Sequence, residues 1–600
     1  MAYKSLQDCI DDLDKSGQLL RIKEEVDPYL EMAAIHLRIY EVKGKAILFE
    51  KVKGSKYQAV SNLFGTTERS QFIFRDTLPN VKKMIALKSD PMSAIKNPIQ
   101  NIGVALAAWK ALPKKVSSHH FEKIKISDLP QIQCWEKDGG AFVTLPVVYS
   151  EDADKPGAMH SNLGMYRIQL SGNDYMKDKE IGLHYQLHRG IGVHQTKWNN
   201  LGKPMKVSIF IGGPPSHSFA AVMPLPEGLS ELTFAGALGG RRFHYMYDEE
   251  GFCLSTDADF VITGEVYPNE VKPEGPFGDH LGYYSLKHDF PLMRVKNVYA
   301  KKNAIWSFTV VGRPPQEDTA FGNMIHEMTG SAISTEIPGL HEVHAVDAAG
   351  VHPLLLAIGS ERYTPYYKNK QPQEILTIAN HILGTGQLSL AKFLFIANKS
   401  DDENLKTHDE EKFFQHILER IDLSRDIHFQ TKTTIDTLDY SGDGLNTGSK
   451  VIIAACGEKK RDLLAEIPND FVLPNSFKNP RLVTKGILAL ELTIDSRQST
   501  VDDIIRQISG QWTVDSGLPL IVICDDADFL AADFNNFLWI TFTRSNPSHD
   551  MYGINERFEN KHWCCDTLII DARIKPHHAP ILEKNVDVEK RVDEILRKYL

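Results

Sequence analysis

One short segment limits the fold of this chain more than any other: residues 274–280, which read Glu-Gly-Pro-Phe-Gly-Asp-His. Pro276 lacks a backbone donor and has a fixed φ, and the two glycines allow conformations that other residues avoid. The segment is therefore predicted to be neither a helix nor a regular strand. Such a loop can hold Glu274 and Asp279 close together, and carboxyl groups that share a site can differ in pKa and divide acid and base roles. A solvated turn is the alternative.

Three earlier segments carry side chains suited to chemistry at such a loop. Asn162 offers an amide oxygen, and Arg167 offers a planar cation that suits a carboxylate. His194 ends the run Arg-Gly-Ile-Gly-Val-His, and Glu231 ends the run Pro-Leu-Pro-Glu-Gly-Leu-Ser-Glu. An amide, an imidazole and a carboxylate can form a mixed oxygen and nitrogen site for Mn²⁺ or Mg²⁺. Each of these residues alone is weak evidence for a metal site. An isolated histidine, for example, is more often a structural residue.

Composition narrows the class of protein. A chain of 600 residues is too long for one core, and its 42% apolar and 24% charged residues are typical of a soluble globular protein with two to four domains. The formal charge of −10 argues against a general nucleic-acid binder. Early acids argue against a signal peptide, and no apolar run is long enough to predict a transmembrane helix. Seven scattered cysteines favour a reducing cytoplasm.

Hydrophobic patterns predict a multidomain α/β fold. Residues 1–124 are expected to form a small α/β domain, and residues 125–325, rich in short β-like runs with Gly and Pro between them, a barrel-like β domain. Residues 326–580 are expected to form a C-terminal α/β domain with a mostly parallel sheet and an insertion near 403–510. A terminal amphipathic helix is expected in residues 581–600, and it needs a surface to cover.

The sequence predicts two further details of this organisation. The apolar run Leu538–Phe542 is predicted to be a strand of the C-terminal sheet. The apolar face of the terminal helix is expected to pack either on the chain itself or on a partner subunit, and the partner is slightly favoured. This face carries Val588, Val592, Ile595, Leu596 and Tyr599.

Taken in order, these segments resemble the UbiD family of decarboxylases, which use prenylated FMN. The resemblance extends from the N-terminus to about residue 400 and resumes at residues 539–544. It implies that the central domain is a split β-barrel of the flavin-reductase kind. Four segments carry the resemblance: Asn162 to Arg167, His194, the run ending at Glu231, and Glu274 to His280. Their combination is far more specific than any one of them.

The resemblance also implies roles for three catalytic residues. Arg167, Glu274 and Asp279 match the family's Arg-Glu-Glu/Asp set. Arg167 is expected to pair with Glu274 and to orient the substrate carboxylate. Asp279 is expected to deliver a proton to the carbon that loses CO₂, which requires a raised pKa when bound substrate excludes water. Aspartate is one methylene shorter than the glutamate of some relatives, so reach or substrate size is expected to differ.

The family's metal ligands match Asn162, His194 and Glu231. The metal, typically Mn²⁺, is expected to bridge the cofactor phosphate to the protein, which is sound chemistry for hard oxygen ligands. Glu227 is the rival of Glu231 for this role.

The resemblance also implies further cofactor contacts. Asn162 and Arg167 are expected to lie against the flavin cofactor. The backbone carbonyls of Ala220, Ala221 and Met223 match a K⁺ site of the family. Lys392 is expected to contact the phosphate, although a charged residue at the start of a strand is an equal alternative.

The function implied is reversible, non-oxidative decarboxylation of a 4-hydroxyaryl acid in quinone biosynthesis. Among candidate substrates, a 4-hydroxy-3-polyprenylbenzoate of the ubiquinone pathway ranks first, a hydroxynaphthoate of menaquinone synthesis second, and a phenolic or cinnamic-type acid third. A UbiX-type prenyltransferase would supply the cofactor. A homo-oligomer is expected, and a prenylated substrate would imply peripheral contact with a membrane. An FMN-binding reductase or flavin carrier, and a non-catalytic subunit that stores the flavin, are alternatives from other classes.

Overall fold

The computed structural model describes residues 2–89, 102–186, 189–225, 230–368, 370–493, 501–509 and 517–599. The chain forms two compact units. The first contains Met1–Thr329 together with Pro580–Leu600, and the second contains Gly330–Ala579. The predicted N-terminal and central segments therefore belong to one unit, together with the end of the chain.

The first unit is a mixed α/β structure. Its helices up to the boundary are α1 Leu6–Lys15, α2 Glu31–Glu41, α3 Thr67–Ile73, α4 Leu78–Ser89, α5 Ile102–Ala111, α6 Gly190–Asn200, α7 Pro215–Val222, α8 Glu231–Gly239 and α9 Glu317–Glu336, which contains the boundary. Its strands are β1 Leu19–Val26, β2 Ala46–Val52, β3 Gln58–Ser61, β4 Lys114–Lys115, β5 Glu122–Ile124, β6 Phe142–Val143, β7 Val147–Glu151, β8 Ser161–Gly164, β9 Ile168–Gln169, β10 Glu180–Leu183, β11 Met205–Ile211, β12 His244–Tyr247, β13 Cys253–Ser255, β14 Phe260–Glu274, β15 Phe277–Gly278, β16 Tyr284–Ser285, β17 His288–Ala300 and β18 Ile305–Ser307.

A nine-stranded sheet dominates this unit. Its order is β6-β9-β10-β17-β14-β11-β7-β8, and β5 pairs with β17. The long antiparallel pair of β14 and β17 forms its centre. Within the described residues, β6 and β8 each pair with one strand only, so the sheet is an open, curled half-barrel. Because β14 ends at Glu274, the first carboxylate of the 274–280 segment lies at the end of this central strand.

The N-terminal part of the first unit is joined to the central part through a shared sheet. Strands β1, β2 and β3 pair in that order, and β18 adds to β3 in parallel. Helix α1 begins where the Ser5 hydroxyl accepts a hydrogen bond from the Asp8 backbone N–H at 3.2 Å. Its apolar residues Leu6, Ile10 and Leu13 are buried, as their spacing predicts.

The second unit contains two mixed five-stranded sheets. Their orders are β19-β20-β21-β23-β22 and β24-β25-β26-β30-β27, and three central strands in each are parallel. The strands are β19 Glu342–Ala345, β20 Leu354–Gly359, β21 Phe393–Asn398, β22 Ile427–Thr433, β23 Gly448–Ala455, β24 Phe477–Thr484, β25 Ile487–Leu492, β26 Leu520–Cys524, β27 Met551–Ile554, β28 Arg557–Glu559, β29 His562–Cys564 and β30 Thr567–Asp571. The helices are α10 Glu374–Leu383, α11 Glu410–Arg420, α12 Val501–Ile508, α13 Ala527–Ala532, α14 Phe534–Thr543 and α15 Pro547–Asp550.

The strand predicted at Leu538–Phe542 is wrong, because these residues lie inside helix α14. Every residue of this run is buried, so the periodicity that distinguishes a helix from a strand is absent. The N-terminal cap decides the outcome: the Asp533 carboxylate accepts a hydrogen bond from the Asn535 backbone N–H at 2.7 Å.

The terminal helix α16, Val586–Leu596, packs on the chain's own first unit. Val592, Ile595 and Leu596 are buried in the same core as α2, and Arg38 of α2 forms an ion pair with Glu589 at 2.6 Å. The slight preference for a partner subunit on this face is therefore wrong, because the N-terminal region already covers it. Among the described helices, none has the length and apolar composition needed to cross a membrane.

Candidate active site

The segment 274–280 is held by polar groups of neighbouring loops. Gly275 has a φ of +86°, which favours glycine. Its N–H donates to the Gln169 side chain at 2.9 Å, and its carbonyl accepts from the Asn173 amide at 2.8 Å. The prediction of an irregular loop is only partly confirmed, because Glu274 ends strand β14, and Phe277 and Gly278 form the short strand β15, which pairs with β16.

Close packing fixes the second glycine of this loop. Gly278 donates its N–H to the Asp138 carboxylate at 2.7 Å, and Asp138 also accepts from the Trp135 N–H at 2.9 Å. Burial raises the pKa of Asp138 to about 7, although these backbone bonds oppose the rise. A Cβ on Gly278 would lie 2.0 Å from Cδ1 of Trp135. No residue larger than glycine therefore fits beside Asp279 without displacement of the indole ring.

The structure brings the three predicted catalytic side chains together. The Arg167 guanidinium donates to Glu274 from Nε to Oε1 at 2.9 Å and from Nη2 to Oε2 at 2.8 Å. Its Nη1 donates to Oδ2 of Asp279, and Nη2 also donates to the Ser285 hydroxyl at 2.7 Å. The cation lies 4.8 Å from the ring centroid of Phe277. All three charged side chains are at least nine-tenths buried.

The pKa of Asp279 is lowered, whereas its predicted role as a proton donor requires a raised pKa. Burial raises its pKa, but the hydrogen bond from His280 and the positive charges of Arg167 and His280 outweigh burial and lower it. Both the backbone N–H and the ring Nδ1 of His280 lie within bonding distance of Oδ1, at 2.8 and 2.9 Å. Without substrate, Asp279 is therefore ionised at neutral pH.

One histidine of this site was not predicted. His184 follows β10 and is buried, with Nδ1 3.4 Å from Oε2 of Glu274 and its ring stacked on Phe290 at 4.1 Å between centroids. Burial and the nearby Arg167 cation hold its pKa well below the usual value, so the imidazole is neutral. Its sequence neighbourhood contains no motif, and only the fold shows that it faces Glu274.

Two of the three predicted metal ligands lie beside Ser150 of strand β7. Asn162 lies on β8 opposite Ser150 of β7. The Ser150 hydroxyl is 3.0 Å from Nδ1 of His194, which lies on α6. The N-terminus of α6 also closes on the same amide, because a Cβ on Gly190 would lie 2.2 Å from Oδ1 of Asn162. Since Ser150 engages Nδ1, Nε2 is the ring nitrogen left for a cation.

Glu231 is placed beside strand β8. It is the first residue of α8, and its Oε2 accepts a hydrogen bond from the Leu163 backbone N–H at 2.8 Å. Burial raises the pKa of Glu231 to about 7. An amide oxygen, an imidazole nitrogen and a buried carboxylate around β8 fit a hard divalent cation. The rival, Glu227, lies outside the described residues.

The remaining predicted cofactor residues lie in two places. Ala220 and Ala221 lie in the last turn of α7, and Met223 follows the helix. The Ala220 carbonyl accepts from Met223 N–H at 3.2 Å, the Ala221 carbonyl from Met165 N–H at 3.0 Å, and the Met223 carbonyl from Leu225 N–H at 2.9 Å. Each of these oxygens keeps a second lone pair, so a K⁺ site stays a prediction.

Lys392 belongs to the second unit. Its Nζ forms a buried ion pair with Asp439 at 2.6 Å and a hydrogen bond with the Ser441 hydroxyl at 2.7 Å. Contact with a cofactor phosphate stays a prediction for this residue.

Comparison with known proteins agrees with this arrangement. Models of the N-terminal, Rift-related and C-terminal domains of 3-octaprenyl-4-hydroxybenzoate carboxy-lyase, the UbiD family, match residues 10–88, 108–314 and 319–455. An uncharacterized protein of Chlamydia caviae is 35% identical, over 100% of this chain and 99% of the relative. A Chlamydia pneumoniae protein named as part of a 4-hydroxybenzoate decarboxylase is 33% identical, over 97% of this chain and 96% of the relative.

Solved structures share the fold at lower identity. The closed form of vanillic acid decarboxylase from Sedimentibacter hydroxybenzoicus superposes with a TM-score of 0.64 at 21% identity, over 78% of this chain and 97% of that chain. The UbiD-class enzyme HmfF from Pelotomaculum thermopropionicum, in complex with FMN, superposes with a TM-score of 0.58 at 20% identity, over 75% of this chain and 93% of that chain. On the family models and the full-length relatives, this chain belongs to the UbiD family of carboxy-lyases.

Proposed function

We propose that this chain removes CO₂ reversibly from a 4-hydroxyaryl acid, with prenylated FMN and a divalent cation, Mn²⁺ or Mg²⁺, as cofactors. One observation carries the proposal: a buried arginine that pairs with one carboxylate through two hydrogen bonds and donates to a second. An ordinary FMN reductase or flavin carrier has no need of such a set.

The chemistry explains why a cofactor is needed. When the bond to CO₂ breaks, its electron pair stays on an sp² carbon, and no protein side chain can accept that charge. Prenylated FMN supplies this electron sink when bound. The residues that would hold it through the cation are Asn162, His194 and Glu231, whose donor atoms suit a metal that also binds phosphate.

Arg167 and Asp279 are assigned the two steps that the protein performs. Arg167 would orient the substrate carboxylate, because its guanidinium is fixed by Glu274 in a buried position. A substrate anion there competes for the Arg167 charge and adds negative charge beside Asp279. Both effects raise the pKa of Asp279 from its lowered value, so Asp279 takes up the proton that it delivers to carbon.

The names of the relatives support a substrate class. The family description names an octaprenyl hydroxybenzoate, and the Chlamydia pneumoniae relative is named for 4-hydroxybenzoate. We therefore place a 4-hydroxy-3-polyprenylbenzoate or a hydroxynaphthoate of quinone synthesis first. Phenolic acids of catabolism come second, with support from the vanillic acid decarboxylase. A polyprenylated substrate would bring the protein to a membrane surface.

The cellular setting is proposed from the same features. The seven cysteines are buried free thiols, which supports a reducing cytoplasm. A UbiX-type prenyltransferase would supply the cofactor. We also propose a homo-oligomer. A solved structure of HmfF, described as an evolved dimeric form in complex with prenylated FMN, supports the proposed oligomer and the proposed cofactor.

Co-production with a flavin prenyltransferase, followed by native mass spectrometry, tests the cofactor directly. We expect prenylated FMN together with one divalent cation. Plain FMN, or no flavin, from cells with a competent prenyltransferase would favour the reductase or carrier. A screen of hydroxybenzoates against hydroxynaphthoates with the loaded protein would then identify the substrate.

A further inference from the structure

Both oxygens of Asp279 are occupied by identifiable donors. Arg167 donates to Oδ2, whereas Oδ1 is bonded by the backbone N–H and the ring Nδ1 of His280, at 2.8 and 2.9 Å. The Asp279 side chain is 9% exposed. Under the proposed function, on which this inference rests, Asp279 loses one proton to carbon in every turnover and must regain it.

Arg167 cannot return that proton, because a guanidinium does not give up its charge in a protein. His280 can, because an imidazole binds and releases a proton at either of its two ring nitrogens. Its side chain is 19% exposed, about twice as much as that of Asp279. Of the two side chains bonded to Asp279, His280 is thus the one with both a mobile proton and access to water.

We propose that His280 is the proton relay of the site and connects Asp279 to solvent. The C–COO⁻ bond of the substrate breaks with release of CO₂, and the Asp279 carboxyl proton forms the new C–H bond. The Asp279 carboxylate then takes the proton from Nδ1 of His280, while water protonates Nε2. Rotation of the ring, or exchange of its proton with water, restores a protonated ring nitrogen beside Asp279 before the next turnover. The net reaction consumes one solvent proton for each CO₂ released, and the reverse sequence supports carboxylation.

The charged surroundings of His280 favour this role. Asp279 lies on one side, with Arg167 beyond it. Asp318, the second residue of α9, interacts electrostatically with both His280 and Asp279. Burial first and the charge of Asp279 raise the pKa of Asp318, and the charge of His280 lowers it. The ionised Asp279 carboxylate beside the imidazole stabilises a positive charge on the ring during proton transfer.

The substitution His280→Asn separates a relay from a positioning role. Asparagine keeps an N–H donor at the position of Nδ1, but it cannot carry a proton. We expect His280→Asn and His280→Ala to keep flavin and KM and to lose about 10²-fold in kcat, the usual contribution of general acid–base catalysis. Imidazole in the buffer should restore kcat in His280→Ala. A kcat near wild type for His280→Asn would show that the histidine only positions Asp279, and would overturn the relay.

A second measurement holds even where these variants fold poorly, and it needs no flavin. In wild-type protein labelled with ¹³C at aspartate carboxyl carbons, the Asp279 signal should shift in two steps with pH, one its own and one from His280. A single step would contradict direct proton coupling. If wild-type protein loaded with prenylated FMN decarboxylates no aryl acid, the proposed function fails, whereas turnover with an unaffected His280→Asn variant removes only the relay.

Discussion

The guanidinium of Arg167 and the carboxylate of Glu274 face each other through two hydrogen bonds, 2.9 Å from Nε to Oε1 and 2.8 Å from Nη2 to Oε2, and the Glu274 side chain has no solvent exposure. This fork fixes the plane of the guanidinium, since both groups are planar and each bond restrains the other. The remaining nitrogen, Nη1, is thereby directed at Asp279. The ion pair with Glu274 thus orients Arg167, which is assigned to bind the substrate carboxylate, and through it Asp279, which is assigned to deliver the proton.

Replacement of Arg167 should abolish CO₂ release. Arg167→Ala removes the cation, and Arg167→Lys keeps the charge but cannot form the two-bonded fork, so we expect a loss of about 10²-fold or more in kcat for either variant. Flavin should stay bound, as measured by absorbance. Arg38→Lys is the matched control, because the Arg38–Glu589 pair lies at a partly exposed position and should leave turnover unchanged. Turnover near wild type in Arg167→Lys would remove the fork from the mechanism.

His194→Ala should lose the divalent cation and weaken flavin retention. His194 is bonded to Ser150 through Nδ1, and this bond orients Nε2 as a ligand. We expect at least a tenfold loss of metal affinity, measured by elemental analysis after dialysis. His119→Ala, at an exposed position, serves as the control. Unchanged metal content in His194→Ala would reject the ligand assignment.

The stabilisation of flavin-free protein by Mn²⁺ should grow with pH. The pKa of Glu231 is about 7 in the folded, metal-free chain, above its unfolded value of about 4.3. A raised pKa means that stability is full below the unfolded pKa and is lost as pH rises through the folded pKa. A bound cation favours the carboxylate and removes this loss, so the Mn²⁺-induced rise in Tm should increase between about pH 5 and pH 8.

The neutral variant Glu231→Gln provides the control for this experiment. It should show little Mn²⁺-induced rise in Tm at any pH. The other buried carboxyl groups with raised pKa, such as Asp138, contribute equally with and without the metal and cancel in the difference. A pH-independent effect of Mn²⁺ in the wild type would argue that Glu231 is not a ligand.

Gly278→Ala should displace the loop that carries Asp279. The new Cβ would overlap Cδ1 of Trp135 at 2.0 Å, and a displaced loop would move Asp279, so we expect a loss of about 1–3 kcal/mol of stability together with reduced turnover. Gly322→Ala is the control, because no atom outside its own helix lies within 4 Å and alanine favours a helix by about 1 kcal/mol. Thermal unfolding of both variants checks the difference, and equal stability would contradict the packing argument.

The sequence predicted that Arg167, Glu274 and Asp279 belong together, whereas it predicted parts of the secondary structure incorrectly. Arg167, Glu274 and Asp279 carry distinctive side chains in a fixed order, and the fold brings them together. Chemistry of this kind is visible in residue types, and the irregular backbone around Pro276 is visible in its glycines. The α/β fold was likewise apparent from short β-like runs followed by alternating strand and helix patterns.

What could not be predicted depends on contacts distant in sequence. His184 looks like any structural histidine until β10 places it beside Glu274. The pKa of Asp279 is lowered because the His280 hydrogen bond and the charges of Arg167 and His280 outweigh burial, and this balance depends on the folded positions of all three residues. The run Leu538–Phe542 is buried on all sides and therefore carries no periodic signal. The surface under the terminal helix is formed by α2, more than five hundred residues earlier in the chain.

The central claim is that Asp279 delivers the proton that replaces CO₂, and proton exchange tests it most directly. Protein loaded with prenylated FMN is incubated in D₂O with the decarboxylated phenol, and deuterium at the carbon that bore the carboxylate is measured by NMR. We expect exchange at that carbon with wild-type protein, and exchange slower by about 10²-fold or more with Asp279→Asn. Equal exchange in the two proteins, or none in the wild type while CO₂ is released, would contradict the assignment.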